Sequence, residues 1–223
     1  TETVCRGVQP GSHKSLAVVN ETLFYKSGGE VCAYQGGFPT SVSQALGEEQ
    51  YFNASAGSAG DKYYIAMDDG DGRRQVFVYD ISRSLWMKED ELPIKFFARL
   101  EGELYAATES ELWSLSGRQG SLESYVPWMA ESGILYYQYP DKKYISRFNL
   151  RIRMEEGAWM DIFIQYDSSG LWEHKGRLKL SGTGTVTVPV CPRRCDHLQI
   201  RLEGKGEFQL FSLAKVLEIG SDM

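Results

Sequence analysis

Residues 19–36 read VNETLFYKSGGEVCAYQG, and they align without a gap on residues 100–117, which read LEGELYAATESELWSLSG. The alignment pairs Val19 with Leu100, Leu23 with Leu104 and Val31 with Leu112. A third copy lies between them, with an apolar run at residues 63–65, a Gly-rich turn, and a second run at residues 76–80. Each copy therefore predicts a strand, a polar turn and a second strand, and a period of about 40 residues is typical of β-propeller blades.

Three copies are too few to close the usual ring of four to eight blades. We therefore expect the chain to be part of something larger, completed either by further residues or by a partner.

The second half of the chain has a different pattern. Residues 144–154 alternate between polar and mostly apolar side chains, which predicts a strand with one face on a core. With this strand, six or more strand-like segments occur at a spacing of 8–12 residues with Gly-containing turns, which favours a sandwich or jelly roll. Gly, Ser and Pro cluster at residues 117–127, where a domain boundary is expected.

The sequence thus predicts an all-β chain with two domains. Residues 1–125 are expected to form partial β-propeller-like antiparallel blades, about three in number. Residues 126–223 are expected to form a β-sandwich or jelly-roll domain.

Composition argues against several classes of binding partner. The net charge of −6 argues against nucleic acid as the main ligand, because phosphate binding needs a basic surface. No apolar run reaches the 18 or more residues of a membrane span, so no membrane partner is expected. Cys191, Cys195 and His197 offer only three local ligands at an unusual spacing, and we expect reduced thiols and no metal or other cofactor.

Two acidic clusters are the best candidates in the sequence for catalytic or metal-binding carboxylates. The turn at residues 68–72, DDGDG, lacks the ligand spacing of a calcium loop and predicts a plain hairpin. Glu89, Asp90 and Glu91 are adjacent on an extended chain and point to alternate faces, so they do not make a glycosidase pair. The common nucleophile and phosphate-binding motifs are absent, and we expect a protein that is not an enzyme.

Two groups of basic residues and one aromatic group are candidate contact sites. The first basic group lies on one strand face and consists of Arg147, Arg151 and Arg153; the second consists of Arg193, Arg194 and Arg201. The acidic loop at Glu89–Glu91 of a neighbouring molecule is a candidate partner for these arginines. The aromatic residues are Trp128, Tyr136, Tyr137 and Tyr139. For these aromatics three interpretations stay open: stacking on sugar rings, a protein interface, and core packing between the domains.

A Tyr-Asp…Leu-Trp pattern occurs twice, at residues 79–86 and 166–172. Asp side chains bond the backbone two residues on and begin turns, after which the Tyr and Trp pack across a hairpin. We expect both copies to be structural.

Several stretches resemble structural proteins of tailed bacteriophages and prophages of Gram-positive bacteria. They are VFVYD…LWMKED at residues 76–90, FA…GELYA…LW at 97–113, PRRCDHL at 192–198, RLEGKG at 201–206 and EIGSD at 218–222. The resemblance covers most of residues 16–223 and implies a tail or head–tail junction component, made in the bacterial cytoplasm and located in the virion. In some such proteins a propeller-like body precedes a β-sandwich.

Together these observations predict a virion assembly protein that acts through contacts with other virion proteins and through self-association. The alternative is a carbohydrate- or receptor-binding module of a phage tail, with some of Trp128, Tyr136, Tyr137 and Trp159 exposed in a groove. A glycoside hydrolase fragment is a further alternative and needs two carboxylates about 5–9.5 Å apart in a cleft.

Overall fold

The computed structural model describes residues 7–115, 127–136, 144–190 and 195–218. The chain divides into two compact units, Thr1–Arg118 and Gln119–Met223. The predicted all-β class is confirmed, because helical structure in the described ranges is limited to one 3₁₀ turn at Gln44–Leu46. The predicted boundary at residues 125 and 126 lies outside the described residues.

The first unit contains three antiparallel sheets in which the strands follow chain order. We call these sheets blades 1, 2 and 3. Blade 1 consists of β1 (Ala17–Val19), β2 (Thr22–Lys26), β3 (Val31–Tyr34) and β4 (Thr40–Ser41). Blade 2 consists of β5 (Phe52–Ala59), β6 (Lys62–Asp68), β7 (Arg74–Asp80) and β8 (Leu85–Asp90), and blade 3 of β9 (Phe96–Leu100), β10 (Glu103–Ala107) and β11 (Leu112–Ser114). The three aligned sequence copies form the hairpins β2–β3, β6–β7 and β10–β11.

Blade 2 is buried on both faces, which explains why its central strands are nearly continuous apolar runs. Alternate residues of β6 point to opposite sides: Tyr63 packs with Phe24 of blade 1, and Tyr64 packs with Leu104 of blade 3. The Phe24 and Tyr63 rings stack with their centroids 5.2 Å apart. The three blades therefore stack face to face in chain order.

A glycine in β5 sets the distance between blades 2 and 3. A Cβ at Gly57 would lie 2.6 Å from the Cβ of Phe97 and 2.8 Å from a methyl group of Leu104. Only a residue without a side chain permits this approach.

The second unit is a β-sandwich of two antiparallel sheets. The first sheet has the order β12-β18-β15-β16, with β13 also paired to β18, and the second has the order β17-β14-β19. The strands are β12 (Pro127–Glu131), β13 (Leu135–Tyr136), β14 (Tyr144–Met154), β15 (Trp159–Tyr166), β16 (Glu173–Leu178), β17 (Gly182–Pro189), β18 (His197–Lys205) and β19 (Phe208–Glu218). Their inward residues form one core, in which Leu150, Ile152, Met160, Ile164 and Leu198 are fully buried.

Candidate functional site

The outer face of the five-stranded sheet, opposite the sandwich core, carries an unusual density of charged and aromatic side chains. On β15, Met160, Ile162 and Ile164 point into the core, so Asp161 and Phe163 point outward. The register places Asp161 opposite Arg177 of β16 and Glu203 of β18. We call this surface the outer face.

Asp161 is the centre of one cluster on the outer face. Its Oδ1 accepts hydrogen bonds from Nε of Arg177 at 2.8 Å and from Nε2 of His174 at 3.1 Å. Its Oδ2 accepts from a terminal nitrogen of Arg177 at 2.6 Å. The hydrogen bonds from Arg177 lower the pKa of the Asp161 carboxyl, and His174 adds to the effect. Asp161 is therefore an ionised carboxylate held in a bidentate pair.

Arg201 is the centre of a second cluster on the same face. It donates from Nε and one terminal nitrogen to Oε2 of Glu131, at 3.0 and 2.9 Å. Its other terminal nitrogen lies 3.6 Å from Oε1 of Glu203. The guanidinium carbon of Arg201 lies 4.0 Å from the centre of the Trp172 ring.

Each arginine on the outer face lies over an indole ring. The guanidinium carbon of Arg177 is 4.1 Å from the ring centre of Trp159, which repeats the Arg201–Trp172 arrangement. Phe163 lies between the two clusters, opposite both His174 and Arg201, and its ring centre is 5.1 Å from that of His174. The three aromatic rings are half-buried, so part of each faces solvent.

The sequence identified only part of this face. Trp159 was expected in a binding groove and Arg201 in a basic group, and both lie on the outer face. Trp172 was expected to pack across a hairpin, as Trp86 does against Tyr79 at 5.0 Å, but it stacks with Arg201 instead. Asp161, Phe163 and Arg177 were not predicted, since the registers of β15 with β16 and with β18, which bring these groups together, cannot be read from the local sequence.

The predicted aromatic group does not form one surface. The Trp128 ring stacks on Phe208 at 4.0 Å and its Nε1 donates to the carbonyl of Gly206, so Trp128 packs in the core of the sandwich itself. Tyr136 is 74% exposed on β13, away from that core. Tyr137 and Tyr139 lie outside the described residues.

Apart from Arg201, which is only partly exposed, the predicted charged contact residues are exposed wherever they are described. Arg147, Arg151 and Arg153 project from β14, with Phe148, Leu150 and Ile152 buried between them. Glu89, Asp90 and Glu91 are exposed at the end of blade 2, where Lys88 pairs with Glu91. Arg193 and Arg194 lie outside the described residues. The role of these side chains as an interface stays a prediction.

The described ranges contain no cluster of three or more His, Cys, Asp or Glu side chains arranged to hold a metal ion. In the turn at residues 68–72, Oδ1 of Asp69 accepts hydrogen bonds from the backbone N–H groups of Asp71 and Arg73, as in a plain hairpin. Cys195 is buried, and Cys191 lies outside the described residues.

The first unit has a groove of about 490 Å³ where blades 1 and 2 meet. It is lined by the aromatic rings of Phe24, Phe38 and Tyr79. Its polar groups partly satisfy one another, because Gln35 donates to the hydroxyl of Thr22. The outer face of the second unit offers more charged and exposed groups and is the stronger candidate.

Comparison with known proteins gives a limited result. No protein-family model matches the chain, and no curated protein matches it. Solved structures that match include the exo-β-1,3-galactanase from Phanerochaete chrysosporium with galactose, at 11% identity and a TM-score of 0.28. A variant of that enzyme with β-1,3-galactotriose matches at 11% identity and a TM-score of 0.26. Each match covers 85% of this chain and 65% of the galactanase, so the chain spans just under two thirds of those enzymes.

These matches contradict one expectation from the sequence. We expected a protein that is not an enzyme, whereas the matching solved structures are glycoside hydrolases. These matches identify no residue of this chain as catalytic. No helix among the described residues is long and apolar enough to cross a membrane.

Proposed function

We propose that the second unit binds carbohydrate through the outer face of its five-stranded sheet. The observation that carries the proposal is the pair of Arg–Trp stacks, Arg177 on Trp159 and Arg201 on Trp172, on either side of Phe163. Each stack is joined to a carboxylate, Asp161 or Glu131.

This arrangement matches the chemistry of a sugar ring. A pyranose presents C–H groups on its faces and hydroxyl groups around its edge, so it needs apolar rings beside hydrogen-bonding groups. Arginine carries five N–H donors, of which Arg177 uses two on Asp161, so donors remain for hydroxyl oxygens. The carboxylates supply acceptors for hydroxyl protons.

The face is also organised before a ligand arrives. Two hydrogen bonds to a carboxylate hold each guanidinium group, and each guanidinium group lies against an indole ring. A ligand that binds a preorganised surface loses less free energy to the ordering of side chains.

The resemblance to phage tail proteins suggests where such a module would act. In a tail protein, a carbohydrate-binding face would recognise glycans on the host surface. Assembly into a virion stays a prediction, as does the contact role of Arg147, Arg151 and Arg153.

Binding to a glycan array, followed by titration calorimetry with the strongest ligand, tests the proposal. Replacing Trp172 by Ala should weaken binding about tenfold or more, because truncating an anchoring aromatic side chain at a binding hot spot costs about 2 kcal/mol or more and about 1.4 kcal/mol corresponds to tenfold. Trp113→Ala is the matched control, since Trp113 is 38% exposed on blade 3 and should leave affinity unchanged.

The proposal would be overturned if no glycan on the array bound the intact chain. It would also be overturned if Trp113→Ala weakened binding as much as Trp172→Ala, since the ligand would then not lie on the outer face.

A further inference from the structure

The face of blade 3 that points away from blade 2 is an exposed apolar surface. Leu100 is 65% exposed and Leu112 is 68% exposed, and both project to this side together with Tyr105 and Ala98. The opposite side of β10 is buried against blade 2 through Leu104 and Ala106.

The internal repeat indicates which kind of surface packs against this face in the other blades. Leu100, Tyr105 and Leu112 of blade 3 align with Val19, Phe24 and Val31 of blade 1. Those three residues of blade 1 are only 3%, 2% and 1% exposed, because they pack against blade 2. We call the side of each blade that carries these aligned positions its forward face, and the opposite side its rear face.

In blade 2, too, the forward face of one blade packs on the rear face of the next. Its forward face, which includes Tyr64 and Val78, packs on the rear face of blade 3 at Leu104. Its rear face, which includes Tyr63 and Ile65, packs on the forward face of blade 1. The forward face of blade 3 therefore fits the rear face of another blade of the same kind.

The chain itself carries an open stretch of rear face on blade 1. Val18, Leu23 and Tyr34 form one cross-strand row there, in which Val18 is 62% exposed and Tyr34 is 36% exposed. Leu23 aligns with Leu104, the rear-face residue that is 1% exposed in blade 3. Leu23 thus occupies the position that is buried in blade 2 at Tyr63 and in blade 3 at Leu104.

We propose that two copies of this chain associate head to tail, with the forward face of blade 3 of each copy on the rear face of blade 1 of the other. Two such contacts related by a two-fold axis bring together six blades, within the four to eight of closed propellers. Closure removes both exposed apolar surfaces from water, which favours association.

Light scattering after size-exclusion chromatography, over a series of concentrations, measures the association directly. The intact chain should change from one copy of 25.2 kDa to two copies as concentration rises. Leu112→Lys on the forward face and Leu23→Lys on the rear face should each weaken the dimer about tenfold or more, because a charge is buried at the contact. Leu171→Lys is the control, since Leu171 is 74% exposed in the second unit and should have no effect.

Mixing the two variants separates head-to-tail association from other arrangements. A mixed pair keeps one contact with both faces intact, so it should associate more strongly than either variant alone. A chain that remains a single copy at every concentration would overturn the proposal and assign the forward face to a blade from another polypeptide. Loss of association with Leu112→Lys but not with Leu23→Lys would also overturn it, in favour of a contact between two forward faces.

Discussion

Asp161 is a carboxylate whose side chain is only 11% exposed to solvent. An ion in such a position is stable only when it is paired and fully hydrogen-bonded. Arg177 and His174 meet that need, and both are about half exposed, so the cluster lies at the border between sheet and solvent. The same geometry that stabilises the carboxylate leaves the outer parts of Arg177 and His174 accessible to a ligand.

Replacing Asp161 by Asn should reduce stability in a pH-dependent way. Hydrogen bonds, from Arg177 above all, lower the folded-state pKa of Asp161 below its usual value of 3.8. Its contribution is therefore complete above the pKa of the unfolded state and is lost as the pH falls through the folded-state pKa. At pH 7 we expect Asp161→Asn to cost about 2 kcal/mol of unfolding free energy, the typical worth of a charged hydrogen bond.

Urea unfolding at several pH values measures this cost. The difference in unfolding free energy between the unsubstituted chain and Asp161→Asn should shrink below a pH of about 4. Asp71→Asn is the control, since Asp71 is 74% exposed and pairs loosely with Arg73. A difference that stayed constant down to pH 2 would mean that ionisation of Asp161 does not stabilise the fold.

Individual residues of the site were the least predictable part of the chain. Trp172 follows a Tyr-Asp turn just as Trp86 does, so the local sequence gave both the same role. The difference arises from Arg201, which is 29 residues farther along the chain and reaches Trp172 only through the pairing of β18 with β15. Local patterns carry no information on such a partner.

At the scale of strands, the sequence predicted those elements that alternate or consist of apolar residues. The β14 strand was expected at residues 144–154, and its Arg residues alternate with buried side chains as predicted. The β5 strand was missed because its sequence, FNASAGSA, is small and polar. Those small residues are needed because blade 3 approaches closely at Gly57.

A glycine in β18 allows Trp128 to pack into the sandwich. A Cβ at Gly204 would lie 2.4 Å from Trp128 and 2.4 Å from the carbonyl oxygen of Trp159, and the backbone atom cannot move aside. We expect Gly204→Ala to cost about 3 kcal/mol, as in overpacked cores. Because Trp159 belongs to the outer face, the substitution should also weaken glycan binding.

Thermal unfolding checks this, with Gly133→Ala as the control, since a Cβ there meets no atom within 4 Å. Equal stability of the two variants would show that the sheet accommodates a side chain at position 204, and that Trp128 is not held by the close approach.

At the scale of the whole molecule, the two units have separate cores. The core residues of the sandwich lie between Phe148 and Leu202, whereas those of the blades lie between Val19 and Ala106. The repeat and the change of pattern near residue 120 were enough to predict this division into blades and sandwich. The sequence could not show the exposed forward face, because burial depends on which neighbour each blade has.

Separate cores predict two separable unfolding transitions in differential scanning calorimetry. Ile65→Ala removes a fully buried side chain from the blades, and Ile164→Ala removes one from the sandwich. Each should lower the midpoint of one transition by about 10 °C or more and leave the other in place, given a cost of about 2–5 kcal/mol per cavity. If one transition were seen and both variants lowered it equally, the units would unfold together, and stability at the outer face would then depend on the blades as well as on the sandwich.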